Sequence, residues 1–219
     1  NTITWTSYNY PSQIVASATE NIGYLYGPDR QRWRTQYVNG ATTETTYHIG
    51  QEFQKVITTS TDYRHYIYAG NRSVAVYSRK STGTNTLRYV LEDHQGSVAN
   101  ILASNGTSYV KENFSAFGNR RNPTTWSGAP TSGDLNLING VTREGYTWQT
   151  ALGAMGLNHM NGRVQDAITG RFLSPDPHTS EPWHTQGYNR YAYVRNNPVS
   201  YTDPTGLDLA DLLQWLCNT

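Results

Sequence analysis

The chain has 219 residues and a formal net charge of +1, with 36% apolar and 15% charged residues. Its arginines are scattered singly, so the basic patch of a protein that binds nucleic acid or an anionic membrane is missing, and we expect neither partner. The single cysteine, Cys217, excludes an intrachain disulfide and a multi-cysteine metal site, and no run of about 18 apolar residues predicts a membrane span.

The first half of the chain predicts an antiparallel β-sheet. The 17 tyrosines and 19 glycines of the sequence are typical of aromatic strands joined by tight turns. Apolar or aromatic residues alternate with polar ones, which indicates half-buried strands. The clearest segments are Thr45–Ile49, His65–Gly70, Val74–Arg79 and Leu87–Glu92. Turn-forming residues separate them, for example at Val38–Ala41, Ala69–Arg72 and Ala103–Thr107.

A short aromatic motif followed by glycine recurs along the chain. It stands at Tyr24–Arg32, Tyr66–Arg72 and Phe114–Arg121, at intervals of roughly 40 to 50 residues. A repeat of this length predicts units that stack into one continuous sheet, each covering its neighbour. An ordinary antiparallel sandwich with aromatic strands would show the same periodicity, so both architectures remain open.

The second half of the chain has a different pattern. Residues 122–141 are rich in Pro, Gly, Ser and Asn and predict a loop or linker. A short helix is expected around Gln149–Met155. A hairpin is expected over Asn161–Asp176, with its turn at Ile168–Gly170, and one more tyrosine-rich strand over Gln186–Gly206.

The last twelve residues predict a short amphipathic helix. Asp208 is placed to cap it, and its leucines form one stripe at i, i+3, i+4 and i+7. These are Leu209, Leu212, Leu213 and Leu216. A helix this short is marginal alone, so we expect it to dock on the aromatic inner face of the sheet.

Several longer motifs resemble the rearrangement-hotspot (Rhs) and YD-repeat family, and the resemblance covers nearly the whole chain from Tyr24 to Leu207. The C-terminal part, which resembles the Rhs-repeat-associated core, is the most specific. The matching segments are Tyr24–Arg32, His65–Gly70, Tyr89–Gly106 with its Asp93–Ser97 centre, Phe114–Arg121, Gly156–Pro177 and Tyr188–Leu207.

The resemblance implies an all-β fold: an antiparallel YD-repeat sheet that forms part of a spiral β-shell, with a short C-terminal helix. It implies a shell wall over residues 1–121, a linker over 122–141, a self-cleaving core over 142–207, and over 208–219 the first residues of a downstream cargo. The partners it implies are upstream Rhs repeats and a downstream toxin in the same polypeptide. A fragment of this size would also expose strand edges, from which we expect self-association.

Self-cleavage of an aspartic-peptidase type is the activity that the resemblance implies. The expected cut lies between Leu207 and Asp208, directly after the motif Asp203-Pro204-Thr205-Gly206-Leu207. The implied acid pair is Asp166 and Asp176, with Arg163 as the accompanying cation. In the family's commonest spelling Tyr precedes and Pro follows the first aspartate, whereas this chain has Gln165 and Ala167.

The chemistry of peptide hydrolysis by two carboxylates requires that they lie close together. One takes a proton from the attacking water and the other donates a proton to the amide, and their mutual repulsion separates their pKa values. A two-residue turn would put Arg163 opposite Asp176, whereas a four-residue turn closed by Gly170 would put it opposite Ser174. Neither register alone brings Asp166 to Asp176, so a bulge or a bend at the prolines would be needed.

Plainer interpretations exist for the same residues. Asp-Pro-Thr-Gly suits a type I turn, so Asp203 taken alone is a turn residue. Asp166 could pair with Arg163 or Arg171. His94 suits a loop that bonds to itself, and the tyrosines suit cross-strand packing better than a sugar-binding platform.

No metal or other cofactor is expected. His178, Glu181 and His184 share a proline-containing loop that lacks the rigid element needed to orient metal ligands.

Two functions therefore remain in competition. The first is a secreted or delivered bacterial effector shell that frees its enclosed toxin by cutting itself once. The second is a non-catalytic structural or adhesive YD-repeat module. A third, that the chain is itself a toxin enzyme, is disfavoured because twelve residues beyond Leu207 cannot form a catalytic domain.

Overall fold

The computed structural model describes residues 2–152, 155–177 and 185–207. Its largest element is a sheet of eleven strands whose spatial order follows the chain from β1 to β11. The strands are β1 (Thr2–Trp5), β2 (Pro11–Val15), β3 (Glu20–Tyr26), β4 (Arg32–Asn39), β5 (Thr42–Ile49), β6 (Phe53–Ile57), β7 (Thr61–Ala69), β8 (Arg72–Lys80), β9 (Asn85–Glu92), β10 (Val98–Ala103) and β11 (Ser108–Lys111). The expected all-β, antiparallel fold is confirmed.

Period-two burial explains why these segments are strands. In β7 the side chains of Asp62, Arg64 and Tyr66 are buried, while the residues between them are half-buried. The two charged residues are compatible with burial because Arg64 Nε lies 3.0 Å from Asp62 Oδ2. Ser78 on β8 donates a hydrogen bond of 2.5 Å to the other Asp62 oxygen.

The chain divides into two compact units. The first contains the residues up to Leu91 together with Ile101–Tyr109, and the second contains Glu92–Asn100 with the described residues from Val110 onward. These bounds differ from the segments expected from the sequence. Residues 92–100 group with the second unit, and a backbone hydrogen bond of 3.1 Å from Val98 N to Gly145 O helps to hold them there.

The second unit contains two small sheets and one helix. The strands are β12 (Asn113–Phe114) with β13 (Arg120–Arg121), and β14 (Thr150–Ala151), β15 (Leu157–Met160), β16 (Arg163–Asp166) and β17 (Arg171–Phe172) in that order. The core of this unit is aromatic, with Tyr146, Met160, Phe172, Tyr193 and Val194 all buried.

Three local expectations differ from the structure. The helix α1 (Ser132–Asn139) lies in the segment expected to be loop, because Thr131 caps it by accepting a hydrogen bond of 3.0 Å from Asp134 N. Within the helical turn expected around Gln149–Met155, Thr150 and Ala151 instead form β14, which pairs with β15, while residues 153 and 154 lie outside the described residues. In place of the tyrosine-rich strand the chain forms short 3-10 turns at Thr185–Tyr188 and Val194–Asn196.

Within the described residues, no helix has the length and apolarity needed to cross a membrane. The C-terminal helix expected over Asp208–Thr219, with its leucine stripe, lies outside the described residues.

Candidate functional site: a buried arginine between two aspartates

The site is built on the hairpin of β15 and β16. Met160 and Arg163 are paired across a two-residue turn in which Asn161 is left-handed, with φ +56°. This register sends the Arg163 side chain into the second unit, where only 4% of it is exposed. Its guanidinium carbon lies 3.6 Å from the centre of the Phe172 ring, a cation–π contact that helps to hold the buried charge.

Arg163 contacts three other parts of the chain: Asp176, Arg190 and the Asp203–Gly206 turn. Its Nη2 lies 2.9 Å from Asp176 Oδ2 and 3.4 Å from Asp203 Oδ2. Its Nη1 donates to Arg190 O at 3.2 Å, and its Nε donates to the carbonyl oxygen of Gly206. One cation thus binds two carboxylates and the carbonyl that lies one residue before Leu207.

Asp203 is the more deeply buried of the two carboxylates, with 2% of the residue exposed. Its Oδ1 accepts hydrogen bonds from the backbone N–H of Gly206 at 2.8 Å and of Thr205 at 3.3 Å, which closes a tight turn. Burial raises the pKa of Asp203 from 3.8 to about 6. Arg163 and the two backbone N–H groups oppose that rise, and the charge of Asp176 adds to it.

The Asp203–Leu207 motif is docked on the turn between β15 and β16. Gly162 N donates to Thr205 O at 3.0 Å, and the Leu207 side chain occupies the space in which a Cβ on Gly162 would lie. Gly206 has φ +70°, and a Cβ there would collide with the carbonyl oxygen of Met160. Only glycine satisfies both requirements at position 206.

Gln149 binds the motif from another side. It is buried, and its Nε2 donates to Pro204 O at 2.9 Å and to Asp203 O at 3.4 Å. No local pattern in the sequence identifies Gln149 as part of the site, because it lies more than fifty residues before its partners.

Asp166, the first acid of the implied pair, lies elsewhere on the hairpin. The register of β16 with β17 pairs Asp166 with Arg171 across a four-residue turn, which is one of the two registers considered above. Its Oδ1 caps that turn by accepting from Ile168 N at 2.8 Å and Thr169 N at 3.3 Å. Asp166 also stands three positions from Arg163, so the two side chains point to opposite faces of β16.

The arginine cluster therefore brings together Arg163, Asp176 and Asp203, whereas Asp166 is a turn cap in this structure. Asp203 entered the sequence prediction as part of the cleavage motif and not as an acid. The catalytic role of Asp166 stays a prediction, since a position in a turn does not test it.

A small cavity adjoins the cluster. It has a volume of about 30 Å³, and Arg163, Asp176 and Asp203 are among its lining residues, together with Arg190 and Arg195. A cavity needs only about 10–15 Å³ to hold one water molecule, so water fits beside both carboxylates.

The structure describes only some of the other candidate residues. His94 is exposed in the Asp93–Ser97 turn. His178, Glu181 and His184 lie outside the described residues, and among the described ones no group of three or more His, Cys, Asp or Glu is arranged to hold a metal. Tyrosines of the large sheet pack against other rings, as Tyr47 does on Trp33 at 5.9 Å between centroids.

Comparison with solved structures identifies the fold. The crystal structure of TcdB2-TccC3 matches 94% of this chain at 22% identity, with a TM-score of 0.75. The same complex without its hypervariable C-terminal region matches 94% of this chain at 21% identity, with a TM-score of 0.74. The Photorhabdus luminescens Tc holotoxin pore, solved with an Asp-to-Ala substitution in TccC3, also matches 94% of this chain at 21% identity, with a TM-score of 0.75.

No protein-family model matches the chain, and no curated protein sequence matches it either. The chain spans about a tenth of the length of the TcdB2-TccC3 chains, since the matches cover 10% of each. Because the structure without the hypervariable region matches as well as the others, the likeness does not depend on that region. The chain therefore has the fold of one segment of the TcdB2-TccC3 toxin complexes.

Proposed function

We propose that the chain is the C-terminal core of an Rhs-type bacterial toxin shell, which encloses a downstream cargo and cuts itself after Leu207 to free it. The fold shared with a segment of TcdB2-TccC3 supports the shell. The motif spelling at Asp203–Leu207 supports the position of the cut. On this proposal the whole protein is secreted or delivered to another cell.

The observation that carries the proposal is the set of contacts made by Arg163. It binds Asp176, Asp203 and the Gly206 carbonyl inside the second unit. An acid pair, a cation and the peptide just before Leu207 are thus held in one place, as hydrolysis of the next peptide bond requires.

The proposed reaction uses Asp176 as base and Asp203 as acid. Ionised Asp176 takes a proton from a water molecule, whose oxygen attacks the carbonyl carbon of Leu207. Protonated Asp203 then donates its proton to the amide nitrogen of residue 208, and the C–N bond breaks. Burial favours this division because it keeps the proton on Asp203 up to higher pH, while Arg163 offsets negative charge as the tetrahedral intermediate forms.

The test is the intact mass of the purified full-length protein followed over time. Wild type is expected to yield a fragment that ends at Leu207, and Asp203→Asn and Asp176→Asn are expected to slow its appearance by at least about a hundredfold. Asp29→Asn, in an exposed turn of the first unit, is the matched control and should cleave as wild type does. A wild-type chain that stays intact would exclude self-cleavage.

Asp166→Asn, compared with those variants, decides which acid pair operates. Loss of cleavage in Asp166→Asn with retention in Asp203→Asn would restore the pair implied by the family resemblance. It would limit Asp203 to a structural role.

A second candidate function is a non-catalytic structural or adhesive module. It is favoured by the hydrogen bonds of Asp203 Oδ1 to Gly206 N and Thr205 N, which a turn residue needs whether or not it is catalytic. Under either function, the outermost strands β1 and β11 leave edges where upstream repeats or a second copy would pair. Sedimentation that shows a monomer over a wide concentration range would exclude the second copy.

A further inference from the structure

The Asp93–Ser97 turn belongs to the same unit as the site and has no role in the reaction described above. Asp93 Oδ1 accepts hydrogen bonds from Gln95 N and Ser97 N, both at 2.9 Å, which fixes the turn and orients Ser97. Ser97 is buried, with 1% of the residue exposed. A buried hydroxyl of this kind normally serves a specific partner.

The partner of Ser97 is a strained segment of backbone. Ser97 Oγ accepts a hydrogen bond of 3.1 Å from Thr147 N, and the next residue, Val98, donates to Gly145 O at 3.1 Å. Thr147 and Trp148 are both left-handed, with φ +48° and +58°. Such conformations cost about 1–3 kcal/mol each and persist only where surrounding contacts hold them.

The strained segment leads directly to Gln149. A primary amide nitrogen has two N–H donors, and here they meet two consecutive carbonyl oxygens, those of Asp203 and Pro204. Binding these two carbonyls orients the two peptide planes on either side of the Pro204 Cα. It thereby sets the direction from which the Asp203 side chain reaches Arg163.

We propose that Gln149 is a positioning residue for cleavage after Leu207, and that the Asp93–Ser97 turn holds Gln149 in place through Ser97 and the Thr147–Trp148 segment. This inference rests on the proposed self-cleavage. It gives the Asp93–Ser97 motif a physical role, which is to align the scissile segment and not to take part in the chemistry.

Amide hydrogen exchange tests the alignment without requiring cleavage. Gly162 N reports docking of the motif because it bonds to Thr205 O, and Gly206 N reports the turn within the motif because it bonds to Asp203 Oδ1. In Gln149→Ala both amides should exchange about tenfold faster or more. Gln165→Ala is the matched control, since Gln165 is also buried and its Oε1 accepts from Asn158, away from the motif. Unchanged protection of both amides in Gln149→Ala would overturn the proposal even if wild type does not cut itself.

The pH dependence of the cleavage rate separates positioning from simple stabilisation. Folded Gln149→Ala should cleave about tenfold more slowly or worse at every pH. Gln149→Glu should be impaired when its carboxylate is ionised, because it then has no donor for the Pro204 carbonyl, and should recover in acid when its O–H can donate. If both variants cleave at the wild-type rate at every pH once folded, Gln149 only stabilises the fold.

The Ser97 variants test whether the Asp93–Ser97 turn holds Gln149 in place. Ser97→Thr keeps the hydroxyl that accepts from Thr147 N and should behave as wild type in both assays. Ser97→Ala should speed exchange at Gly162 and slow cleavage in the same direction as Gln149→Ala. If the Asp203–Leu207 motif undocks in Gln149→Ala but stays fully docked in Ser97→Ala, the Asp93–Ser97 turn has no part in positioning Gln149.

Discussion

Replacing Asp203 by Asn should change how the stability of the protein depends on pH. Two opposing effects act on this carboxylate: burial disfavours its charge, and Arg163 favours it. Burial is the larger effect, so the pKa in the folded protein is raised to about 6. Between about pH 4 and pH 6 the folded protein therefore holds a proton that the unfolded chain has released.

The sign and size of the effect follow from this difference. Because the folded state binds the extra proton, the free energy of unfolding of wild type falls as the pH rises from about 4 to about 6. One pKa unit corresponds to about 1.4 kcal/mol, so a rise of about two units corresponds to a fall of about 3 kcal/mol. Asn cannot ionise, so Asp203→Asn should gain about that much stability relative to wild type over the same interval.

Urea unfolding of both proteins at half-unit steps from pH 4 to pH 8 measures the difference. Glu112→Gln is the matched variant, because burial also raises the pKa of Glu112, to about 7, against the opposing charge of Arg120. The fall in stability due to Glu112 spans about pH 4.5 to 7, so Glu112→Gln should lose that contribution and keep the one from Asp203 between about pH 4 and 6. A wild type that gains stability relative to Asp203→Asn as the pH rises would show that the Arg163 ion pair outweighs burial, and the reasoning would be wrong.

Three further experiments test the packing of the site and of the helix. Gly206→Ala should abolish docking of the cleavage motif, because the new Cβ would collide with Met160 O. The left-handed backbone alone costs an alanine about 1–2 kcal/mol. A Gly162 amide that stays fully protected from exchange would contradict this. Gly162→Ala should displace the Leu207 side chain and slow cleavage. Adding Leu207→Ala should make room for the new Cβ. A double variant that cleaves more slowly than Gly162→Ala alone would refute the contact. Thr131→Ala should lower the free energy of unfolding by about 1 kcal/mol through loss of the α1 cap, as measured in urea.

Local patterns in the sequence were sufficient to predict the strands of the large sheet. The alternation over Val74–Arg79 corresponds to β8, and that over Leu87–Glu92 to β9. They were not sufficient for α1, because its segment contains Gly, Ser and Asn, which are typical of loops. Its clearest helix signal is the cap at Thr131. Nor did they predict β14, which is a strand because it pairs with β15 and not because of its own residues.

The site was predicted only in part, for the same reason. Arg163 does contact Asp176, although the hairpin has the four-residue turn that does not place them opposite each other. The second carboxylate on Arg163, Asp203, lies forty residues further along the chain, and Gln149 lies more than fifty residues before the motif it binds. Contacts over such distances depend on the complete packing of the second unit and leave no trace in a local pattern.

The order of the strands bears on how the protein folds. From β1 to β9 each strand pairs with its neighbours in the chain, so these contacts close over short loops and can form in sequence as the polypeptide emerges. The contacts of Arg163 with Asp203 and of Gln149 with Pro204 require residues that follow all eleven strands of the sheet in the sequence. We therefore expect the sheet to be complete before the cleavage motif docks, which makes the docking of Leu207 a late folding event.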